Sequence, residues 1–130
     1  MTDPISDMLT QIRNALAVKK PELILPYSKL KFNLASALEK TGWIGEVSAE
    51  GEGVVKKLRL MLKYDDRGLP AISGLFRVSK PGQRIYTKSK TIPRSALGSG
   101  TAIISTSRGL MTSDEARKAK LGGELICQIW

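Results

Sequence analysis

The chain has 130 residues, with 21 lysines and arginines against 12 aspartates and glutamates, so its formal net charge is +9. This length excludes a large multidomain enzyme, because single domains typically run to about 100–150 residues, and 42% hydrophobic residues are enough for a core. The sequence has no histidine and one cysteine, Cys127, which excludes imidazole-based catalysis, an intramolecular disulfide and a cysteine zinc site.

The first half of the sequence predicts two helices, a short strand and a β-hairpin. Asp3 and Pro4 are typical of a helix start, and the apolar residues that follow recur at helical spacing. Ser28 is a second cap, and Gly42 suits the residue after a helix end. Apolar and basic residues then alternate, which indicates a half-buried strand. The predicted elements are helices at residues 4–18 and 28–42, and strands at residues 23–25, 43–47 and 54–64.

The second half predicts mainly strands. The turn-forming stretch at residues 65–70 separates it from the first half, and we expect a boundary between an N-terminal α/β lobe, residues 1–66, and a C-terminal, mainly β lobe, residues 67–130. The fold class predicted is therefore α/β, of the α+β type, with two small lobes. Strands are predicted at residues 71–78, 83–87, 101–105 and 125–130, with a polar loop at residues 88–99 and a short helix capped by Thr112 and ending at residues 118–120.

No segment of the sequence has the features of a membrane anchor or a secretory signal. The first residues are acidic rather than basic, and the apolar stretches are far shorter than the ~20 residues of a membrane span. We expect a soluble, cytoplasmic protein with no membrane partner.

The basic residues are unevenly distributed. No aspartate or glutamate occurs between Arg67 and Ser113, so the cations there have no acidic neighbours in sequence. Such a stretch is expected to project a positive potential and to attract a polyanion. The alternatives are lysines that serve only solubility, or a membrane surface, although no amphipathic helix with large apolar anchors accompanies the charge. The cations are Arg67, Arg77, Lys80, Arg84, Lys88, Lys90, Arg94 and Arg108.

Three hydroxyl residues, Ser105, Thr106 and Ser107, follow an apolar strand and precede Arg108 and Gly109. Hydroxyls both donate and accept hydrogen bonds, so this turn could contact a phosphate, a ribose hydroxyl or a base edge, and glycine permits close approach of the backbone. The equally simple alternative is a turn whose hydroxyls satisfy its own backbone. A phosphate-binding loop of the enzyme type is excluded, because Gly-Lys-Ser/Thr at the required spacing is absent.

A carboxylate beside two glycines, in Gly122-Gly123-Glu124, stands out in a basic half of the chain. Near a polyanion a carboxylate is unfavourable unless it accepts from a base amino group, so Glu124 could read a base; the alternative is an ordinary exposed residue opening a strand. Among the aromatic residues, Tyr86 lies between the basic residues Arg84 and Lys88. Three other aromatic residues and the cysteine are predicted to lie in the hydrophobic core: Trp43, Phe76, Trp130 and Cys127.

Several motifs together resemble the bacterial form of a known family. The stretch Ser105-Thr106-Ser107-Arg108-Gly109-Leu110-Met111, followed by Ala116-Arg117, resembles the signature of the eighth protein of the small ribosomal subunit. The similarity extends over essentially the whole chain. The other matching motifs, in order, are Asp3 to Leu9, Ile12 to Asn14, Ser28 to Lys31, Val78 to Gly82, Arg84 to Tyr86, and Gly122 to Glu124.

The resemblance implies a two-lobed α/β structural protein, not an enzyme and without cofactor or metal, that supports assembly of the small subunit in the cytoplasmic ribosome. Its expected partners are the central domain of the small-subunit ribosomal RNA, neighbouring small-subunit proteins and the messenger of its own operon. Gln11 and Arg108 depart from the arginine and the lysine that are common in the family. The RNA-binding residues expected are Lys29, Lys31, Lys80, Arg84, Tyr86, Lys88, Lys90, Ser105, Thr106, Ser107, Arg108, Gly122, Gly123 and Glu124.

Three other functions stay open at this point. An RNA-cleaving enzyme would need a base or metal cluster, yet the acidic residues are scattered along the sequence. A protein-interaction module would bind regardless of nuclease treatment. A translational regulator outside the ribosome would keep the RNA site without the assembly role.

Overall fold

The computed structural model describes residues 3–92 and 100–130, and within these ranges the chain forms three α-helices and eight β-strands in two antiparallel sheets. This confirms the predicted α+β fold class. The helices are α1 (Pro4–Ala17), α2 (Lys29–Lys40) and α3 (Ser113–Ala119), with short 3-10 helices at Gly53–Val55 and Ser89–Thr91. The strands are β1 (Glu22–Pro26), β2 (Val47–Glu50), β3 (Lys57–Met61), β4 (Leu75–Arg77), β5 (Tyr86–Thr87), β6 (Thr101–Thr106), β7 (Gly109–Thr112) and β8 (Gly123–Ile129).

The described chain divides into two compact units. The first unit comprises residues 7–72, and the second comprises residues 3–6, 73–92 and 100–130. The first unit contains most of α1, all of α2 and strands β1 to β3, and the second contains the other five strands and α3. The boundary predicted at residue 66 falls in the turn before this division, and as a border between separate domains it stays a prediction.

The first unit is built on a three-stranded sheet in the order β1-β3-β2. Leu58 and Leu60 of β3 are fully buried while Lys57, Arg59 and Met61 are not, which confirms the predicted alternation. Helix α2 begins as predicted, because the Ser28 side chain accepts a hydrogen bond from the Lys31 amide. It ends where expected too, with Gly42 at a φ of 84°, a left-handed conformation that favours glycine.

Two of the strands predicted in the first unit have wrong limits. The strand expected at residues 43–47 lies at Val47–Glu50, because the backbone at Gly45 and Glu46 contacts Met61 irregularly before the regular register begins. The strand expected at residues 54–64 lies at Lys57–Met61, because Gly53–Val55 forms the 3-10 turn of the hairpin and the pairing with β1 ends at Met61. Hydrophobic residues at a hairpin end resemble strand residues in sequence, and the turn geometry decides between them.

The second unit is built around β8, in a sheet of order β4-β8-β6-β7, with β5 also paired to β8. Helix α3 begins with a reciprocal capping box between Thr112 and Glu115, which confirms the predicted cap. A register irregularity between Ile103 and Ile104 interrupts the pairing of β6 with β8. The hydrophobic core of this unit includes Ile92, Ala102, Ile104, Ala116 and Leu125.

The second unit differs from the prediction in four respects. Strand β7 was not expected, since its four residues follow the hydroxyl turn directly and are too short to show a period. Strands β4 and β5 are shorter than the segments predicted for them. Strand β8, predicted at residues 125–130, lies at Gly123–Ile129 and therefore includes Glu124. Phe76 is wrongly assigned to the core: it lies on the edge strand β4 and is 56% exposed, with its ring 4.9 Å from that of Trp130. Trp43 and Trp130 are half-buried.

Candidate nucleic-acid interface

Three of the predicted site residues lie side by side at one end of the second unit's sheet. Tyr86 on β5 pairs with Glu124 on β8, and Glu124 pairs with Ser105 on β6. Directly opposed residues on antiparallel strands point to the same face, with Cβ atoms about 4.5–5.5 Å apart. We call these three residues the polar row. Strand pairing therefore brings together side chains that are far apart along the chain.

Glu124 is held in the polar row by two side chains from the turn before β5. The Ser79 hydroxyl and the Arg84 guanidinium both donate to Glu124 Oε2, with an Arg84 Nη1 to Oε2 distance of 2.9 Å. Ser79 Oγ also accepts from the Ile85 amide at 3.1 Å, and its side chain is fully buried. Within the described part of the chain no donor reaches Glu124 Oε1. This oxygen is therefore left as an acceptor for an external donor.

The charge of Glu124 is stabilised by these contacts. Burial alone would raise the pKa of this carboxyl, but the hydrogen bonds from Ser79 and Arg84, together with the positive charges of Arg84 and Arg77, hold the pKa below its ordinary value. Glu124 is consequently ionised at neutral pH and oriented by its neighbours. The interpretation of Glu124 as an ordinary exposed residue is wrong, and its role in reading a base stays a prediction.

Ser79 is a site residue that sequence reasoning missed. In the sequence it is one residue of the motif Val78 to Gly82, and nothing in that motif distinguishes a buried serine from an exposed one. Its role is visible only in the tertiary structure, where its hydroxyl joins the segment before β5 to β8 by bonding the Ile85 amide and Glu124.

The three hydroxyls of the predicted turn have three different environments. Ser105 belongs to the polar row. The Thr106 hydroxyl donates to the Gly109 carbonyl at 2.9 Å and accepts from the Arg108 amide at 3.1 Å, so it serves the turn's own backbone. Ser107 and Arg108 form the turn between β6 and β7 and are exposed. The structure thus leaves Ser107 and Arg108 available to a partner.

Gly122 and Gly123 allow the strands around Glu124 to approach closely. A Cβ atom on Gly122 would overlap the Thr87 carbonyl oxygen, and one on Gly123 would overlap the Ser105 carbonyl oxygen. A side chain at either position would push β8 away from its neighbours and displace the polar row. Packing therefore accounts for both glycines, and their contact with RNA stays a prediction.

Four predicted cations, Lys80, Arg84, Lys88 and Lys90, are exposed on the segment that leads into and out of β5. Arg84 keeps 47% of its side chain exposed while bonded to Glu124. This segment places positive charge next to the polar row. Arg94 lies outside the described residues, and Lys29 and Lys31 lie in the first unit, at the start of α2.

Arg77 corrects the expectation that every cation of the acid-free stretch contributes to an outward positive potential. Its side chain is only 7% exposed, and its Nε lies 3.2 Å from Asp3 Oδ2. Its Nη1 donates to the Ile126 carbonyl at 2.9 Å. The Arg77 charge is neutralised by Asp3, and its hydrogen bonds stabilise the second unit itself.

Within residues 3–92 and 100–130, no group of three or more His, Cys, Asp and Glu residues could hold a metal ion. Cys127 is fully buried, and burial raises its pKa to about 12, so the thiol stays protonated, as expected of a core residue. Across the same residues, no helix has the length and apolar character required to cross a membrane.

The sequence over residues 3–130 matches the family model for ribosomal protein S8. The chain belongs to the ribosomal protein S8 family. It is 50% identical over 129 residues to small ribosomal subunit protein uS8 of Crocosphaera subtropica, covering 98% of this chain and 97% of the relative. It is 49% identical over 131 residues to uS8 of Sorangium cellulosum, covering 100% and 99% of the two chains, and 50% identical over 130 residues to uS8 of Synechocystis, covering 99% and 98%. The family is one of structural proteins of the small ribosomal subunit.

Proposed function

We propose that this chain binds the central domain of small-subunit ribosomal RNA through the polar row and the exposed turn at Ser107 and Arg108, and so supports assembly of the subunit in the cytoplasm. The observation that carries the proposal is the juxtaposition, on one sheet end, of an oriented carboxylate, an exposed aromatic ring and a hydroxyl. Exposed cations flank this group on the β5 segment. The combination offers both charge and hydrogen-bond selectivity to one RNA surface.

The cations and the neutral groups have separate tasks in this mechanism. Exposed lysines neutralise phosphates and supply affinity that falls with salt, independently of sequence. The free oxygen of Glu124 accepts from a base amino or imino group, and the exposed hydroxyl of Ser107 bonds a ribose or base edge. Tyr86, which is 69% exposed, offers its ring to a base or a sugar.

The RNA that fits this surface is an irregular helix. A regular A-form duplex hides its base edges in a deep, narrow major groove, where a side chain as short as Ser107 or Glu124 cannot reach them. A bulge or a non-canonical pair exposes those edges. A similar structure in the messenger of the chain's own operon would be bound by the same residues, which would repress its translation.

The residues of this surface favour binding over chemistry. Glu124 is already engaged by two donors, and no second carboxylate or imidazole faces it within the described residues, so the polar row lacks a general acid and base pair. The proposed role is therefore non-enzymatic, with neighbouring small-subunit proteins as further partners. Incubation of labelled RNA with the chain and magnesium is expected to give no cleavage product.

The selective contacts are tested with Ser107→Ala. The variant is expected to bind the central-domain RNA about 1–3 kcal/mol more weakly, measured by filter binding, and to bind a random RNA duplex unchanged. Ser48→Ala, on β2 in the first unit, is the matched control and is expected to change neither affinity. Equal loss on both RNAs would refute the selective role of the turn.

The electrostatic contacts are tested by titrating salt. Lys80→Ala is expected to reduce the slope of log affinity against log salt by about one, while Lys57→Ala, an exposed lysine on β3, leaves the slope unchanged. Chemical footprinting on total small-subunit RNA is expected to show one compact protected site in the central domain. Diffuse protection without such a site would overturn the proposal.

A further inference from the structure

Strand β1 is an edge of the first unit's sheet, and its pairing with β3 leaves one side of its backbone unused. The Tyr27 amide donates to the Lys56 carbonyl at 3.1 Å and the Leu62 amide donates to the Pro21 carbonyl at 2.9 Å, which sets the alternation along the pair. In an antiparallel pair, hydrogen-bonded and non-hydrogen-bonded residue pairs alternate. Ile24, opposite Arg59, is therefore a position whose N–H and C=O point away from β3.

The outward backbone groups of β1 have no partner among the described residues. No hydrogen bond reaches the N–H or C=O of Glu22 or Ile24 from residues 3–92 or 100–130, and the Ile24 side chain is 49% exposed. Pro26, the next outward position after Ile24, has no N–H to offer a further strand. The unused edge is thus short and ends at Pro26.

A groove of about 320 Å³ lies between this edge and helix α1. Its apolar lining is Ala15, Val18 and Leu23, and its polar lining is Gln11, Asn14 and Lys20. Val18, the residue directly after the end of α1, is 66% exposed there and offers apolar surface to a partner. The carboxamides of Gln11 and Asn14 and the ammonium group of Lys20 make no hydrogen bond within the described part of the chain.

We propose that this edge and groove bind an extended, acidic peptide segment of another protein, which adds to the sheet as a fourth strand beside β1. Such a segment would exchange backbone hydrogen bonds with Ile24 and place alternate apolar side chains on Ala15, Val18 and Leu23. Lys20, with exposed Lys19 next to it, selects an acidic residue at that end. A peptide backbone supplies donors and acceptors in the alternating order that the edge requires, and a nucleic acid does not.

Position 24 allows a test that separates the outward N–H from the fold. Among the backbone hydrogen-bonding groups, Ile24→Pro removes one donor that β3 does not use, and proline is tolerated on an edge strand with its nitrogen facing outward. Ile24→Val keeps the donor and a β-branched side chain, so it is the matched control. Both variants are expected to bind the central-domain RNA like the original chain, which verifies folding.

The probe is a library of random peptides displayed on phage and selected against the full chain. Selected peptides are expected to alternate apolar residues and to carry an acidic residue. Their affinity, measured by fluorescence anisotropy, should fall at least roughly tenfold for Ile24→Pro and stay within roughly twofold for Ile24→Val. Hydrogen exchange of the Ile24 amide in the original chain should slow when a selected peptide is added.

Three results would overturn the inference. A library without a saturable binder, or binders that are indifferent to Ile24→Pro and leave Ile24 exchange unchanged, would show that the edge binds no peptide. Concentration-dependent self-association lost in Ile24→Pro would assign the edge to a second copy of the chain. Protection of Ile24 by the central-domain RNA alone would assign it to nucleic acid.

Discussion

Arg77 and Arg84 belong to the same acid-free stretch, and both pair with a carboxylate, but the two pairs differ in exposure. Arg77 is 7% exposed, bonded to Asp3 and to the Ile126 carbonyl. Arg84 is 47% exposed and shares Glu124 with Ser79. The first guanidinium has its hydrogen bonds directed into the unit, whereas the second keeps donors that face solvent.

The difference shows that a cation in a basic sequence is not by itself a contact to a polyanion. Removing one member of a buried pair leaves the other charge desolvated without compensation, while an exposed pair is screened by water and salt. We therefore expect Arg77 to affect folding and Arg84 to affect binding. The following predictions test this division.

Arg77→Met is expected to give the largest effect. It leaves the Asp3 carboxylate and the Ile126 carbonyl without their donor, and it should lower the free energy of unfolding by about 3 kcal/mol. Urea denaturation followed by circular dichroism measures the loss. The control is Arg67→Met, an exposed arginine of the first unit, which should shift the midpoint little. Equal shifts in the two variants would contradict the structural role of Arg77.

Ser79→Ala is expected to rank second. The change leaves the Ile85 amide without its acceptor and Glu124 without its buried donor, and an unsatisfied buried group costs about 1–3 kcal/mol. The same variant should bind central-domain RNA more weakly, because Glu124 loses the donor that orients it. Ser48→Ala is again the control. A variant that loses stability and keeps full RNA affinity would show that Ser79 does not position the polar row.

Arg84→Ala is expected to change binding with little effect on unfolding. The slope of log affinity against log salt should fall by about one, because one phosphate contact is lost. Arg77→Met, measured without urea and at a temperature at which the variant is folded, should leave that slope unaltered. If the two variants changed the slope equally, the assignment of Arg77 to the interior would fail.

Lowered pH is expected to give the smallest effect. Burial opposes ionisation of Asp3 and Glu124, but their hydrogen bonds and cationic neighbours outweigh it, so both pKa values lie below the ordinary values of 3.8 and 4.5. The stability from each pair is complete above those ordinary values and is lost as the pH falls through the lowered ones. Glu124→Gln should reduce the loss of unfolding free energy between about pH 5 and about pH 2, measured by urea denaturation. If the variant lost as much stability in acid as the original chain, groups other than Glu124 would account for the acid dependence.

Local spacing was enough to predict much of the fold and part of the interface. Helix starts at Ser28 and Thr112 follow from a capping residue and its next three neighbours, and the alternation along β3 follows from a period of two. The hydroxyl turn was recognisable for the same reason. It could not be divided by sequence into a structural Thr106 and an exposed Ser107, because that depends on hydrogen bonds within the turn.

Helices, their caps, the net charge and the family resemblance follow from residues that are close in sequence, where propensity and period act directly. The polar row, the burial of Arg77 and the open edge of β1 depend on which distant strands pair and in which register. Register is set by the packing of whole faces, since a shift by one residue would turn each side chain to the opposite face. The environment of Glu124 is consequently a property of the assembled sheet, not of its own neighbours in the chain.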